Sequence, residues 1–250
     1  SCSVVQDSPV SINGLSDGVA TVTALGGNGG YTYYWDNGEN NATATMLNAG
    51  VHLVIVTDIN LCVTFCDVLI TQPGVLECSV VQDSPVLCYG ESNGIATVTP
   101  VGGVAPFDYL WDNGEMTQTA VGLDEGLHTV TVEDANGATT TCEIIITQPD
   151  APLTCSVVQD SPVSFYGGND GVATVTADGG TSPYAYLWDN GEITPTAVAL
   201  NGGLHEVTVT DDRGCTTTCE VFIEEPNLMN CFVELETPVI CYGDSNGVAT

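Results

Sequence analysis

Positive charge is almost absent from this chain. Its 250 residues include no lysine and a single arginine, Arg213, against 32 acidic residues, for a net charge of −31. Phosphate backbones would be repelled, which excludes nucleic acid as a natural partner. An anionic bilayer is disfavoured for the same reason. Long apolar runs are missing too: the most apolar stretch, Val51 to Ile70, is broken by Asp58, Asn60 and Asp67. No direct membrane insertion is therefore expected in this segment. No signal peptide opens the chain, and no helical period runs through it. What remains is 43% hydrophobic residues, enough for a packed core, so the acidity does not imply disorder. Threonine, valine and glycine dominate, which favours short strands and tight turns.

Self-similarity organises the rest. The string CSVVQDSPV starts at Cys2, Cys78 and Cys155, and a drifted copy, CFVELETPV, starts at Cys231. WDNGE starts at Trp35, Trp111 and Trp188, and a Gly-(Val/Leu)-His step ends at His52, His128 and His205. All three markers share a period of 76 or 77 residues. The expected domains are 1–76, 77–153 and 154–229, with 230–250 the truncated start of a fourth. Because residue 250 falls inside an expected strand, both ends are expected to be cuts within a longer array.

The second repeat shows the internal plan. Cys78 to Leu87 is extended, with Pro85 suited to an edge strand. Ser92-Asn93-Gly94 turns the chain, and Ala96 and Val98 then alternate with Thr97 and Thr99. Gly102-Gly103 opens a loop. Phe107 to Trp111 is a strand closed by Asp112-Asn113-Gly114, and Thr117 to Leu123 forms another. Leu127 to Glu133 and Thr139 to Thr147 complete the set, with Cys142, Ile144 and Ile146 on one face. Six or seven short strands with frequent turns predict an all-β, immunoglobulin-like sandwich. Linkers as short as Gln72 to Cys78 predict beads on a fairly stiff string.

These residues resemble the SprB repeat. The resemblance is carried by Gly14-x-Ser16-Asp17-Gly18-x-Ala20-Thr21-Val22, a Gly-Gly step, Pro183-Tyr184-x-Tyr186-x-Trp188 and Leu-x-x-Gly. It continues in Val207-Thr208-Val209-Thr210-Asp211 with Gly214-Cys215, and in the Ile-Thr-Gln-Pro ending. It runs through the whole chain, repeat by repeat. It implies giant cell-surface adhesins of gliding Bacteroidota, export by type IX secretion, a sandwich related to PKD-type domains, and a role in adhesion and gliding. The family carries one cysteine near the first turn and one in the Gly-Cys turn. Here that pair is incomplete in each full repeat and a second set is added, so the resemblance does not supply the bond pattern.

The eleven cysteines occupy four register positions. Position one is Cys2, Cys78, Cys155 and Cys231; position four is Cys66, Cys142 and Cys219. Both occur in every complete repeat, on the first and last strands. Bonds Cys2–Cys66, Cys78–Cys142 and Cys155–Cys219 are expected, in an oxidising extracellular setting; the alternative links neighbouring repeats, as in Cys66–Cys78, and needs the last strand to fold back across a very short linker. Cys231 would find its partner outside the fragment. Position two is Cys88 and Cys241, replaced by Ile12 and Phe165. Position three is Cys62 and Cys215, replaced by Ala138. No complete repeat holds both, so these cannot pair within a repeat. End-to-end stacking predicts Cys88–Cys215, with Ile12 facing Ala138 at the first junction and Cys62 and Cys241 paired outside the fragment. The opposite direction, Cys62–Cys88 with Cys215–Cys241, fits the losses equally well.

No catalytic constellation is evident. One histidine per repeat, on the parity of inward valines, reads as a structural corner group rather than a zinc ligand or a base. Asp58, Asp134 and Asp211 recur before the last turn. They are calcium candidates, and equally turn formers beside glycine; no firm metal site or other cofactor is expected. The ladders ending at Trp35, Trp111 and Trp188 are core strands or, if exposed, faces for sugar rings. The sequence thus points to a non-enzymatic cell-surface stalk or adhesin filament, outer-membrane attached. Its partners are the neighbouring repeats of the same chain, with surface polysaccharide a further candidate. A carbohydrate-binding array and an accessory region of a secreted hydrolase are the alternatives.

Overall fold

The computed structural model describes residues 1–237, 248 and 249. Within them every helix or strand is a strand. The chain falls into two compact units, Ser1–Gln148 and Pro149–Thr250. The first contains two repeats; the second contains the third and the start of the fourth.

In repeat 1 the strands are β1 (Cys2–Ser8), β2 (Gly18–Ala24), β3 (Thr32–Trp35), β4 (Thr43–Leu47), β5 (Gly50–Thr57) and β6 (Val63–Ile70). They form two three-stranded antiparallel sheets, ordered β1-β2-β4 and β3-β5-β6. Repeat 2 has β7 (Glu77–Ser84), β8 (Gly94–Val101), β9 (Phe107–Trp111), β10 (Thr119–Leu123), β11 (Gly126–Asp134) and β12 (Thr139–Ile146). Repeat 3 has β13 (Thr154–Ser161), β14 (Gly171–Asp178), β15 (Ala185–Trp188), β16 (Thr196–Leu200), β17 (Gly203–Thr210) and β18 (Thr216–Ile223). Both follow the same plan: β7-β8-β10 faces β9-β11-β12, and β13-β14-β16 faces β15-β17-β18. At the start of the fourth repeat β19 (Leu235–Thr237) pairs with β20 (Val248–Ala249). These are tandem immunoglobulin-like sandwiches.

The period of two in the sequence becomes the inside and outside of each sandwich. In β8, Ala96 and Val98 are fully buried while the intervening threonines lie on the outer face. In β11, Val130 and Val132 point inward, and β12 closes on the buried Ile146. Each core centres on one tryptophan, Trp35, Trp111 or Trp188, packed among valine, alanine and leucine. Pro85 lies just past the edge strand β7, where no ladder bond is lost.

The repeated string CSVVQDSPV has a structural reading at several positions. Gln6 donates from Nε2 to the Thr71 hydroxyl at 3.1 Å, and its Oε1 accepts the Thr71 N–H at 3.0 Å. Gln82 does the same with Thr147. The side chain of the first strand thus clasps the end of the last. Asp7 accepts the Thr21 hydroxyl at 2.6 Å, as Asp83 and Asp160 do from Thr97 and Thr174. Val10, Val86 and Val163 are buried in the three cores.

Candidate functional site

The first and last strands of each repeat are edges of opposite sheets, and they lie side by side. Half-buried cysteines on their inward faces meet there. Cys2–Cys66, Cys78–Cys142 and Cys155–Cys219 are disulfides, with Cα separations of 6.1, 6.0 and 6.0 Å and a sequence separation of 64 in each. Cys88 and Cys215 are each disulfide-bonded as well. Cys62 and Cys231 are exposed free thiols. The pairing Cys62–Cys88 is therefore not formed. Cys241 lies outside the described residues.

On the opposite flank a histidine clamp recurs. His52, His128 and His205 are 6% exposed, low enough that each ring nitrogen needs a partner. The Nε2 atoms lie 2.9, 3.1 and 3.0 Å from the carbonyl oxygens of Asn48, Asp124 and Asn201. A carbonyl only accepts, so each Nε2 carries the proton. The Nδ1 atoms lie 2.9 to 3.0 Å from carboxylate oxygens of Asp36, Asp112 and Asp189. The other oxygen of Asp36 and of Asp112 accepts a β5 or β11 backbone N–H. One imidazole thus ties the turn after the tryptophan to the loop that enters the penultimate strand. In repeat 2, burial works against the charged imidazole. It is outweighed by the Asp112 bond, the Asp124 carbonyl and the charges of Asp112 and Asp124, so the His128 pKa is raised. Burial likewise opposes the Asp112 carboxylate, but the His128 and Thr129 bonds hold its pKa below the usual value.

Asp58, Asp134 and Asp211 each cap the last turn. In Asp134, Oδ2 accepts the Val104 N–H and Oδ1 accepts those of Asn136 and Ala138, all at 2.9 Å. Asp58 and Asp211 repeat the pattern with Asn28, Asn60 and Cys62, and with Thr181, Arg213 and Cys215. All three have lowered pKa values. The Cys62 and Asn28 N–H groups lead the effect at Asp58; at Asp134 and Asp211 backbone N–H groups overcome the penalty of burial. Convergent N–H donors repel a cation, so these oxygens are occupied as turn caps. Among the described residues no cluster of three or more histidine, cysteine or acidic side chains could hold a metal ion.

The tryptophans are not available to a sugar. Trp35, Trp111 and Trp188 are at most 1% exposed, and each Nε1–H donates to a backbone carbonyl, of Asn41, Thr117 or Thr194. Stacking on these rings is ruled out by burial, because neither face reaches solvent.

The linkers are anchored rather than free. Asn13 Nδ2 donates to the Pro73 carbonyl at 2.9 Å, and the Gly14 N–H to Gln72 Oε1 at 3.1 Å, so the linker leaves repeat 1 along its first turn. It then lies on the Gly102-Gly103 loop of repeat 2. The Gly103 N–H donates to the Gly74 carbonyl at 3.0 Å. A Cβ on Gly102 would sit 1.9 Å from the Val75 oxygen, so only glycine fits. Leu76, 9% exposed, fills the adjoining hollow. In repeat 3 the Gly180 N–H donates to Ala151, Gly179 abuts the Pro152 oxygen and Leu153 takes the place of Leu76. At the first junction Asn136 Nδ2 also donates to the Ser11 carbonyl at 2.6 Å. Ile12 and Ala138 line one cavity there, of about 180 Å³. The Gly-Gly step reads in sequence as a loop only; its role as a linker bed depends on a contact that periodicity does not encode.

With the geometry in view, the SprB repeat family matches this chain at three places, residues 8–40, 81–116 and 161–192. Each complete repeat carries one match, which begins within or at the end of its first strand and reaches the turn after the tryptophan. A decoration protein of Escherichia phage T5 is 37% identical over 89 residues, covering 30% of this chain and 54% of the phage protein. The chain thus spans about half the length of that curated relative. Among solved structures, the three N-terminal domains of the bacteriophage RB49 highly immunogenic outer capsid protein are similar at 14% identity and a TM-score of 0.45. That likeness covers 91% of this chain and all of that one. A tetra-tandem repeat from the extending region of a large adhesion protein is similar at 12% identity and a TM-score of 0.26, covering 88% and 72%. At such scores the fold is read from the strands themselves. The SprB matches, the immunoglobulin-like repeats and the disulfides support an extracellular, adhesin-type repeat segment of a non-catalytic, structural kind. Among the described residues no helix is long and apolar enough to cross a membrane.

Proposed function

We propose that this chain is a load-bearing segment of a cell-surface filament, serving surface adhesion and gliding motility in a protein exported by type IX secretion and attached at the outer membrane. The observation that carries the reading is the bridge between the first and last strands of every repeat. In a tandem array tension enters at the first strand and leaves by the last. With Cys2 joined to Cys66, the force crosses through sulfur and the residues between them carry none of it. At about 3.4 Å per residue the bridge withholds roughly 200 Å of extension per repeat. The strong negative charge keeps neighbouring filaments soluble and apart.

The repeat boundaries at 76, 153 and 229, and a Cys88–Cys215 bond across the second junction, belong to the same proposal. The bond is supported by the first junction, where residues of the same register positions, Ile12 and Ala138, line one cavity. Cys62, Cys231 and Cys241 are then left for partners in further repeats. Single-molecule stretching tests the load path. Oxidised chains should lengthen by only about 40 Å per repeat, the stretch from Cys66 to Cys78, and reduced chains by the full repeat. Full-length unravelling under oxidising conditions would contradict it. Peptide mapping after cleavage at acidic residues tests the junction bond.

A further inference from the structure

The outer face of the β3-β5-β6 sheet differs from those of its two counterparts. In repeat 1 the outward residues of β5 are Val51, Leu53 and Ile55. Opposite them on β6 stand Leu69, Asp67 and Phe65, in that order. Tyr34 on β3 is paired with Ile55, so Tyr34, Ile55 and Phe65 form an apolar row across the whole sheet. Tyr34, Val51, Leu53, Phe65 and Leu69 are 52 to 67% exposed. Repeat 2 keeps Leu110, Leu127 and Ile145, but Thr129, Thr131 and Thr141 stand where repeat 1 has Leu53, Ile55 and Phe65. Repeat 3 has Glu206, Thr208 and Thr218 there. A preceding repeat does not cover this face: repeat 2 follows repeat 1 directly, and its Leu110, Leu127 and Ile145 are exposed. Charge follows the same division. Residues 1–76 hold six acidic side chains, against twelve in 77–153 and eleven in 154–229. Only one of the six, Asp67, stands among the apolar residues of the face.

We infer that this face pairs with the same face of a second copy of the chain, joining two chains side by side through repeat 1. The size fits. At about 100–150 Å² of free surface each, the five exposed side chains offer roughly 600 Å², most of the roughly 800 Å² per partner in a stable interface. Contiguous apolar patches this large mark interaction sites. Shape and charge select the occupant. A sheet face stacks on another sheet about 10 Å away, and a two-fold axis sets the apolar patch of one copy against that of the other. With a single carboxylate on the face, nothing there selects a cationic partner, whereas two copies of so acidic a chain meet where their repulsion is least. Repeats 2 and 3 lack the apolar row and carry more charge, so they do not pair in this way. The inference stands without the load-bearing reading, since the bridge between first and last strands takes no part in this face.

Sedimentation equilibrium of the full chain tests it, with free thiols alkylated so that no disulfide joins two copies. A monomer–dimer equilibrium is expected. It should tighten as salt rises from about 0.02 to about 0.5 M, because screening weakens repulsion between the acidic chains. Leu53→Thr with Phe65→Thr installs the residues that repeat 2 folds with at the same positions, and should weaken association by at least about tenfold. Leu127→Thr with Ile145→Thr, in repeat 2, should leave association unchanged. A chain that stays monomeric up to about 1 mM at high salt would overturn the inference. So would a dimer indifferent to the repeat 1 pair, an equal loss from the repeat 2 pair, or a dimer that loosens as salt rises, whose cause would be attraction between charges.

Discussion

The two flanks of each sandwich are closed by different means. Where the first and last strands run together, a disulfide crosses between the sheets. Where the third and fourth strands form the other edges, no disulfide crosses within a repeat among the described residues. There, the tryptophan Nε1–H and the histidine clamp tie the sheets to the connecting loops. The difference matches the direction of load. A covalent bond is placed where the chain enters and leaves each repeat, while the flank outside the proposed load path is held by burial and hydrogen bonds. On the proposed load path, resistance to force resides in the disulfide alone, while equilibrium stability is shared by both flanks.

The largest effect should come from the unbridged flank. Trp111→Ala removes a side chain that is 1% exposed and should cost about 3–5 kcal/mol, read as unfolding of repeat 2 at lower urea. A loss under about 1 kcal/mol would show that the ring does not anchor that side. Next, Cys78→Ser with Cys142→Ser should lower stability by about 4 kcal/mol, the value expected for releasing a loop of this length. Repeat 2 should also become extensible in the stretching experiment, which Trp111→Ala should leave bridged. If the tryptophan variant lengthened under oxidising tension as far as the cysteine variant, the division between the flanks would be wrong.

The histidine clamp gives a smaller, pH-dependent effect. The folded pKa of His128 is raised, so its contribution is complete below the unfolded value of about 6.5 and fades as pH rises through the folded value. Asp112 is shifted down, so its share is present above about 3.9 and is lost as pH falls through the depressed value. His128→Ala should cost about 1–3 kcal/mol near pH 5, as a buried bonded group is lost, and distinctly less near pH 9. A pH-independent cost would remove the charged clamp from the account. The smallest effect sharpens the comparison among repeats. Asp124 stands where Asn48 and Asn201 stand in the other two, and Asp124→Asn should lower the His128 pKa, measured by NMR titration, with under about 0.5 kcal/mol lost.

Much of this was legible because a two-residue period is written directly into β2, β8 and β14, and because turns such as Asp112-Asn113-Gly114 name themselves. The pairing of first-strand and last-strand cysteines was legible from their register together with the adjacency of those strands in an immunoglobulin-like sandwich. The clamp was legible only in halves. His128 reads as an inward corner residue and Asp112 as a turn former, and 16 residues separate them. They meet because β9 and β11 are hydrogen-bonded neighbours. Asp58, Asp134 and Asp211 look alike in sequence whether they bind calcium or cap a turn. The choice lies in three converging N–H groups, set by backbone geometry that side-chain identity does not record.

The bed that Gly102 makes for Gly74, Val75 and Leu76 carries the end of one building block onto the surface of the next. Those residues precede the sequence motif that opens repeat 2, yet they complete its surface. A block excised at its first cysteine would leave its own keystone behind on the preceding block. Duplication, shuffling or recombinant subcloning of such arrays should succeed when the splice falls at Pro73 or Pro149 and fail more often a few residues later.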